Sequence, residues 1–397
     1  MFWMFLFMVL PFVALAYVGW HVWCLLPVAW GWKLAVIVVM VASFLLLFTS
    51  IRRSTDQMPM PMAVGVYEVG TSSLIVLLYV FMTFLVLDLG RLVHLVPRTL
   101  LYNNWWTAGG ITLLLTVLFV YGHLHYRHKY RQVLTVTTDK IQRPMRVVLM
   151  SDLHLGYHNR RDELHRWVDM VNAEQPDLIL IAGDIIDGSM RPLRDERMHE
   201  EFRRLKAPVY ACLGNHEYYS GEPEAQQFYR DAGIRLLQDT VAAFPDGETP
   251  GTAAVNPDGE APRTAAAPLC IIGRDDRTNQ HRKPLAKIMK EASARISPSA
   301  FRILLDHQPY HLEQAERQGI DFQFSGHTHH GQVWPASWVT EAIYECAFGS
   351  HQRGNTRYYV SSGIGIWGGK FRIGTRSEYV VLNLNGRRPP EKEQNGR

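Results

Sequence analysis

Five short polar motifs in the second half of the chain each follow a hydrophobic run: Asp152-Leu153-His154, Gly183-Asp184-Ile185-Ile186-Asp187, Gly214-Asn215-His216-Glu217, His307, and Gly326-His327-Thr328-His329. Their side chains offer carboxylates, imidazoles and one amide oxygen, with no thiolate among them. Such donors suit a pair of hard-to-borderline divalent ions, Mn, Fe or Zn, at a catalytic site, and do not suit a closed structural zinc site built on sulfur.

Each motif has a chemical reading and a plainer one. Asp152 and His154 are two residues apart, so an extended backbone sends both side chains to one face, where they can grip one metal. Alone the pair is weak, because Asp-x-His recurs by chance and a surface pair explains it as well. Gly183-Asp184 ends the apolar run Leu178–Ala182, which puts a carboxylate at the tip of a buried strand. From there Asp184 can bridge two cations, which repel at about 3.5–4 Å and need a shared ligand. Asp187 either orients a ligand or caps a helix. Gly214 allows a sharp turn that presents consecutive polar side chains. Asn215 offers a neutral oxygen to the second metal. His216, whose neighbour already points there, is assigned to the substrate, contacting a phosphoryl oxygen or protonating the leaving group. Glu217 is a structural support. His307 follows Phe301–Leu305, and Asp306 beside it either fixes its tautomer or is a surface residue. His327 and His329 share the two-residue spacing and each reach a different metal if the ions are bridged. A lone histidine at a strand end is usually structural; an ordered set of such motifs is poorly explained that way.

These residues need a scaffold. From residue 145, short β-branched runs alternate with helix-like segments, the pattern of a layered α/β domain. Strands are expected over residues 145–150, 178–182, 209–213, 269–272, 301–305, 322–324, 358–360 and 379–384. Helices are expected over 162–173, 194–205, 222–232, 285–294 and 311–318. The motifs follow strands, as in open α/β folds that gather ligands at the carboxyl ends of their sheets. Residues 245–267, rich in Pro, Gly and Ala, read as a flexible loop in a decorated hairpin, and the polar tail from Gly386 as disordered.

Before residue 125 charged residues are nearly absent. Apolar stretches at 2–20, 30–48, 66–87 and 105–121 each approach the roughly 20 residues that span a bilayer. Trp3, Trp20, Trp30, Trp32, Trp105 and Trp106 lie where aromatic belts are expected, and Lys33 and Glu68 sit near segment ends. The first stretch lacks a basic leading region and precedes further spans, so it is expected to stay as an uncleaved helix. With four spans, both termini share a side with Arg52, Arg53, Arg127, Lys129 and Arg131, against Lys33, Arg91 and Arg98 opposite; the positive-inside bias favours a cytoplasmic second half. The expected division is a transmembrane region at 1–125, a juxtamembrane linker at 126–144 whose basic run meets anionic lipid headgroups, a catalytic domain at 145–385 and a tail at 386–397. Cys24, Cys212, Cys270 and Cys346 show no paired spacing and read as reduced thiols. The net charge of +4 is too diffuse for nucleic-acid binding.

In this order the motifs resemble those of the calcineurin-like metallophosphoesterase family over residues 145–385, and more finely its bacterial membrane-associated branch. That branch carries Gly-His-Thr-His-Gly-Gly-Gln and a late Arg-Ile-Gly; here they read Gly326-His327-Thr328-His329-His330-Gly331-Gln332 and Arg372-Ile373-Gly374, the latter preceded by Ser361-Ser362-Gly363-Ile364-Gly365. If the glycine replaced by His330 needs positive φ, His330 is strained. Asp275 and Asp276, at another strand end that resembles the family's, would shape the cleft. The resemblance implies a four-layer β-sandwich flanked by helices. It implies one metal held by Asp152, His154, Asp184 and His329, the other by Asp184, Asn215, His307 and His327, and His216 as the catalytic residue facing the substrate. In the implied mechanism a hydroxide between the metals attacks phosphorus in line and His216 assists departure of the leaving group, with no serine or cysteine nucleophile. The expected substrate is a phosphodiester, or a lipid-linked pyrophosphate such as a UDP-diacylglucosamine intermediate of lipid A synthesis, at a bacterial inner membrane. Trp334, Trp338 and Trp367 either contact acyl chains or pack internally. Two other classes are a membrane sensor or transporter regulated by this domain, whose signature would be intramembrane ionisable residues, to which only Glu68 and Asp88, both near segment ends, come close, and an inactive metal-binding scaffold, which the complete ligand set argues against.

Overall fold

A computed structural model describes residues 2–51, 54–244, 269–294 and 296–386. The loop expected at 245–267, the tail beyond Gly386 and Arg52 and Arg53 lie outside them. The chain divides into two compact units, Met1–Arg127 with Trp367–Ile373, and His128–Ile366 with Gly374–Arg397.

Among the described residues the first unit holds four α-helices: α1 (Phe2–Leu25), α2 (Trp30–Ile51), α3 (Met60–Leu92) and α4 (Trp105–Arg127). Trp30–Thr49, Met60–Leu92 and Trp105–Arg127 are long and apolar enough to cross a membrane, and the apolar stretch Val9–Leu25 is shorter. Many of their large apolar side chains, Val39, Val86 and Leu113 among them, face outward, as suits helices whose solvent is lipid. Asp88 is engaged within the bundle: it accepts from Tyr17 Oη at 2.8 Å and lies 2.9 Å from His21 Nε2 and 3.2 Å from Arg91. Trp367–Ile373, expected inside the catalytic domain, belongs to this unit instead. Arg372 N–H donates to the Gly122 carbonyl at 3.0 Å, the Phe371 ring lies 5.0 Å from that of Phe119, and Lys370 pairs with Glu68 at 3.5 Å. A Cβ on Gly122 would come within 2.8 Å of Ile373, so glycine is what lets the segment lie on α4.

The strands of the second unit are β1 (Lys129–Thr138), β2 (Met145–Met150), β3 (Leu178–Ala182), β4 (Val209–Cys212), β5 (Arg235–Leu236), β6 (Thr240–Phe244), β7 (Leu269–Gly273), β8 (Phe301–Leu305), β9 (Phe322–Ser325), β10 (Gly349–Arg353), β11 (Thr356–Val360) and β12 (Ser377–Gly386). They form two six-stranded sheets, ordered β1-β12-β2-β3-β4-β5 and β10-β11-β9-β8-β7-β6. Within them β2, β3 and β4 are mutually parallel, as are β7, β8, β9 and β11.

Strand alternation builds the layers. Val147, Leu149, Leu178 and Leu180 face the opposite sheet, where they meet Ile271, Ile303 and Phe324. Val148, Met150, Ile179 and Ile181 face the other way, onto Leu164 and Trp167 of helix Arg161–Ala173. Ile272 and Leu304 face Leu285 and Ile288 of helix Leu285–Ala292 on the far side of the second sheet. The order is helix, sheet, sheet, helix, the four-layer sandwich expected.

Several expectations need correction. The 126–144 linker contains β1, which pairs in parallel with β12 over its whole length, so the sheet begins near residue 129. Arg131 in the basic run binds Glu174 through two hydrogen bonds of 2.7 and 2.8 Å and is not free for headgroups. The helix expected at 194–205 is two short ones, Arg191–Asp195 and His199–Phe202. Helices Asn215–Ser220 and Ala336–Ile343 were not anticipated, nor were β5, β6 and β10. The loop ends at Phe244 and Leu269 are antiparallel partners, as a decorated hairpin requires. All four cysteines are free, with Cys212, Cys270 and Cys346 buried.

Candidate metal centre

The expected ligands leave the carboxyl ends of five strands: Asp152 and His154 follow β2, Asp184 follows β3, Asn215 and His216 follow β4, His307 follows β8, and His327 and His329 follow β9. Ligand atoms of Asp152, His154 and His329 lie within 4.8 Å of one another. The same holds for Asp184, His307 and His327, and for His154, Asp184 and His216. Asn215 Oδ1 is 2.9 Å from His327 Nδ1.

The route to this convergence differs from the extended-backbone argument. Asp152 (φ 54°), His154 (φ 45°), Asp184 (φ 50°), His327 (φ 70°) and His329 (φ 48°) all adopt left-handed conformations. After β2, β3 and β9 the chain turns through this region, and Asp and His tolerate it better than most residues. His330 is also left-handed (φ 49°, ψ 40°), so the glycine it replaces is conformationally meaningful; its ring stacks on Phe348 and its Nε2 lies 2.9 Å from Glu341. Gly214, by contrast, is extended (φ −111°), and its lack of a side chain matters for space: a Cβ would stand 2.1 Å from Asp184 Oδ1.

Supporting groups fix the ligands. His307 Nδ1 donates to the Ala182 carbonyl at 2.7 Å, which turns Nε2 toward Asp184 Oδ2 at 3.0 Å. His154 Nδ1 lies 3.2 Å from Asp187 Oδ1, leaving Nε2 facing His329 Nε2 at 3.0 Å. Asp187 therefore orients the candidate ligand His154; the next helix starts at Arg191 without a side-chain cap. The Asp152 carboxylate accepts the His327 N–H at 3.0 Å. Glu217, fully buried, accepts four backbone N–H groups, from Asp184, Ile185, Ile186 and Gly214. It clamps the Asp184 turn onto the Gly214 turn. His216 N–H donates to Asp184 Oδ1 at 2.9 Å, and its Nδ1 donates to the Asp187 carbonyl at 2.6 Å. With its side chain 22% exposed, against 0–5% for His154, His307 and His329, His216 is the more accessible ring.

Burial opposes charge on Asp152 and Asp184, yet His329 and His154 around the first, and His307 and His216 around the second, hold both carboxyls below the ordinary range. Burial would also lower His154 and His307, but the carboxylates prevail: His154 is raised to about 10 by Asp152 and Asp187, and His307 is raised by Asp184. His327 is pushed down to about 4 by burial and by the neighbouring His307 charge. Among the described residues, Asp152 and Asp184 have only imidazoles as ion-pair partners. Two buried carboxylates, converging imidazole nitrogens 3.0 Å apart and an amide oxygen form a donor set that fits divalent cations.

Other expected roles change. Asp306 neither sets the His307 tautomer nor lies on the surface; it is buried and binds Arg274 at 3.0 Å and Arg282 at 2.6 Å. Asp276 accepts Gln308 Nε2 at 2.9 Å and Asp275 accepts Tyr218 Oη at 2.6 Å, so both acids brace loops beside the centre. Trp334, Trp338 and Trp367 are 40%, 62% and 43% exposed, which rules out simple internal packing.

Residues 145–331 match the family model described as calcineurin-like phosphoesterase. The chain is 28% identical over 283 residues to a metallophosphoesterase of Campylobacter jejuni, covering 70% of this chain and 69% of that one. It is 27% identical over 248 residues to a metallophosphoesterase of Helicobacter pylori, covering 62% and 61%. It is 29% identical over 290 residues to a transmembrane protein with metallophosphoesterase domain of Danio rerio, covering 69% and 62%. The matches thus span under two thirds of the Helicobacter and Danio proteins.

Proposed function

We propose that the chain is a metal-dependent phosphoesterase of the calcineurin-like family, as the family match over residues 145–331 and the metallophosphoesterase relatives support, and that it hydrolyses a phosphodiester or pyrophosphate bond with two divalent ions while anchored in a membrane. The observation that carries this reading is that the donor groups Asp152-His154-His329 and Asp184-His307-His327 are joined by a third, His154-Asp184-His216. We assign Asp152, His154, Asp184 and His329 to one ion and Asp184, Asn215, His307 and His327 to the other. When bound, the ions supply Lewis-acid neutralisation of phosphoryl oxygens and acidify the attacking water.

The chain's own residues do the remaining work. Asp184 presents Oδ2 to both clusters, 3.0 Å from His307 and 3.7 Å from His154, while Oδ1 is held by the His216 N–H. Asp187 keeps the His154 Nε2 lone pair directed inward, as a carboxylate behind a ligating histidine does. His216 spends Nδ1–H on the Asp187 carbonyl, so Nε2 is the atom left to bind a phosphoryl oxygen or carry a proton to the leaving oxygen.

A bacterial inner-membrane location with the domain on the cytoplasmic face is supported by the apolar helices and by Arg127, Lys129 and Arg131 where α4 ends. A lipid-linked substrate, such as a UDP-2,3-diacylglucosamine pyrophosphate, has one observation in its favour. Trp334, Trp338, Val339 and Ile343, directly after the His327–Gln332 motif, are 40–62% exposed.

The test is metal content and Mn-dependent hydrolysis of the purified full chain, beside Asp184→Ala and His216→Ala, on an aryl phosphodiester and a UDP-linked diacyl sugar. The reading expects Asp184→Ala to lose metal and turnover, and His216→Ala to keep metal but lose turnover. Full turnover by either variant refutes these roles, and the preferred compound sets the substrate class. A reporter fused after Arg397 that works only in the periplasm would reverse the orientation.

A further inference from the structure

The loops leaving β7 and β8 line a cavity of about 260 Å³, walled by Arg274, Arg277, Arg282, Tyr310, His311 and Gln314. Three guanidinium groups meet here, and among the described residues Asp306 is the carboxylate that two of them, Arg274 and Arg282, share. Those two side chains are 9% and 10% exposed, and the Nε of each is buried without a hydrogen-bond partner among the described residues. Beyond Asp306, Arg274 reaches the Gln314 amide oxygen at 3.2 Å and the Lys283 carbonyl at 3.5 Å, whereas the Arg282 guanidinium spends one Nη alone. Arg277 is exposed, has no ion pair among the described residues, and lies with its guanidinium 4.4 Å over the Tyr310 ring. The other nearby carboxylates are occupied by neutral donors: Asp239 by the N–H groups of Asp275 and Lys283, Asp275 by Tyr218, Gln238 and Asn279, and Asp276 by Thr278 and Gln308. The loop is thus braced while guanidinium donors stay unspent.

The cavity is close to the metal centre. Tyr310 follows His307 by three residues, so their Cα atoms are at most about 11 Å apart. Tyr310 Oη bonds Tyr344 Oη at 3.1 Å, and the Tyr344 ring lies 6.2 Å from that of His327. Planar, permanently charged forks match phosphate oxygens, and stacking on an aromatic face holds Arg277 in place before a ligand arrives. The volume is under the roughly 300 Å³ at which drug-sized sites begin, a fit for a single phosphoryl group.

We propose that this cavity is a second phosphate subsite, in which Arg277 and Arg282 hold a phosphoryl group of the substrate remote from the bond being broken, with Tyr310 and Tyr344 bridging it to the metal centre. It rests on the phosphoesterase reading above and narrows the substrate to a class bearing at least two phosphoryl groups.

The full-length protein, metal-loaded and after EDTA treatment, is titrated with inorganic pyrophosphate by calorimetry. In parallel, kcat/KM is measured for two aryl phosphodiesters that differ only in a distal phosphate. In the EDTA-treated protein, Arg277→Gln should weaken pyrophosphate binding at least tenfold, with Arg277→Lys between it and wild type. The ratio of kcat/KM values, distal-phosphate substrate over plain, should fall at least tenfold in Arg277→Gln; a merely structural role would lower both together. Arg277 lies outside the core, and an unchanged melting temperature would confirm that the variant folds. Pyrophosphate binding that is absent or insensitive to Arg277 overturns the subsite. Binding that depends on Arg277 with an unchanged substrate ratio overturns its assignment to substrate and leaves a free-anion site. If neither ester is hydrolysed while pyrophosphate still binds through Arg277, the subsite stands and the reaction reading fails.

Discussion

Glu217→Gln keeps the shape of the side chain and changes only its ability to accept. In the native protein Oε1 accepts from Ile185 at 2.8 Å and Ile186 at 3.0 Å, and Oε2 accepts from Gly214 at 2.7 Å and Asp184 at 3.1 Å. Burial and the adjacent Asp184 charge push the carboxyl up, and the backbone donors oppose that shift. A glutamine can satisfy one of these pairs; whichever way the amide turns, its NH2 group faces the other. Two buried N–H groups left without an acceptor cost about 1–3 kcal/mol each, hence about 2–6 kcal/mol in all. Against a total stability of about 5–15 kcal/mol this is large, and it predicts a fall in apparent melting temperature on the order of 10 °C. Because the affected turns carry Asp184 and Asn215, bound metal per chain should fall as well. Differential scanning fluorimetry of the detergent-solubilised full chain, with metal content by mass spectrometry, measures both. An unchanged melting temperature with full metal content would refute the argument that Glu217 clamps the two turns.

Gly326→Ala would place a methyl group 2.2 Å from Asp152 Oδ2 and 2.7 Å from Ser151. We expect overpacking of about 1–3 kcal/mol and loss of most turnover, checked by melting temperature and initial rates. Asp187→Asn removes the charge behind His154 Nδ1 and should weaken metal affinity by roughly 10–100-fold, read by Mn titration with little change in melting temperature. Glu174 is held below its ordinary value of 4.5 chiefly by its hydrogen bonds to Arg131. A depressed folded value means that this contribution to stability is present above about pH 4.5 and is lost as pH falls through the folded value, since the unfolded chain then binds the proton more readily. Arg131→Gln should therefore lower the melting temperature at pH 7 and flatten its decline below about pH 4.5; parallel wild-type and variant curves across that range would count against the pairing.

Short buried strands announce themselves in the sequence: Leu178–Ala182 is a continuous aliphatic run, Met145–Met150 and Phe301–Leu305 are apolar runs broken only by Arg146 and Arg302, and the structure keeps those bounds. Lys129–Thr138 was missed because an edge strand with one buried residue, carrying Lys, Arg, Gln and three Thr, has no clear apolar alternation to read. Helix Asn215–Ser220 spans less than two turns and shows no periodicity. At the site, residue types and order pointed to the right neighbours, but left-handed backbone at Asp and His leaves no mark in a sequence, and the two-residue spacing suggested an extended path in its place. Pairings across long separations were equally silent. Nothing near Asp306 indicates that Arg274 and Arg282 would bind it, and nothing beside Arg277 indicates Tyr310 beneath it.

The left-handed turns at Asp152, His154, Asp184, His327 and His329 also bear on how such a domain can drift over generations. Each non-glycine residue held there costs of order 1–3 kcal/mol, which the packed sheets behind it must offset. Glycine, free of that penalty, would make the same positions more stable and remove the side chains proposed to hold metal. A lineage released from selection for catalysis should therefore lose these five side chains early, gaining robustness as it does so, while the β-sandwich beneath survives. A descendant with glycines at these turns and an intact core would record that history.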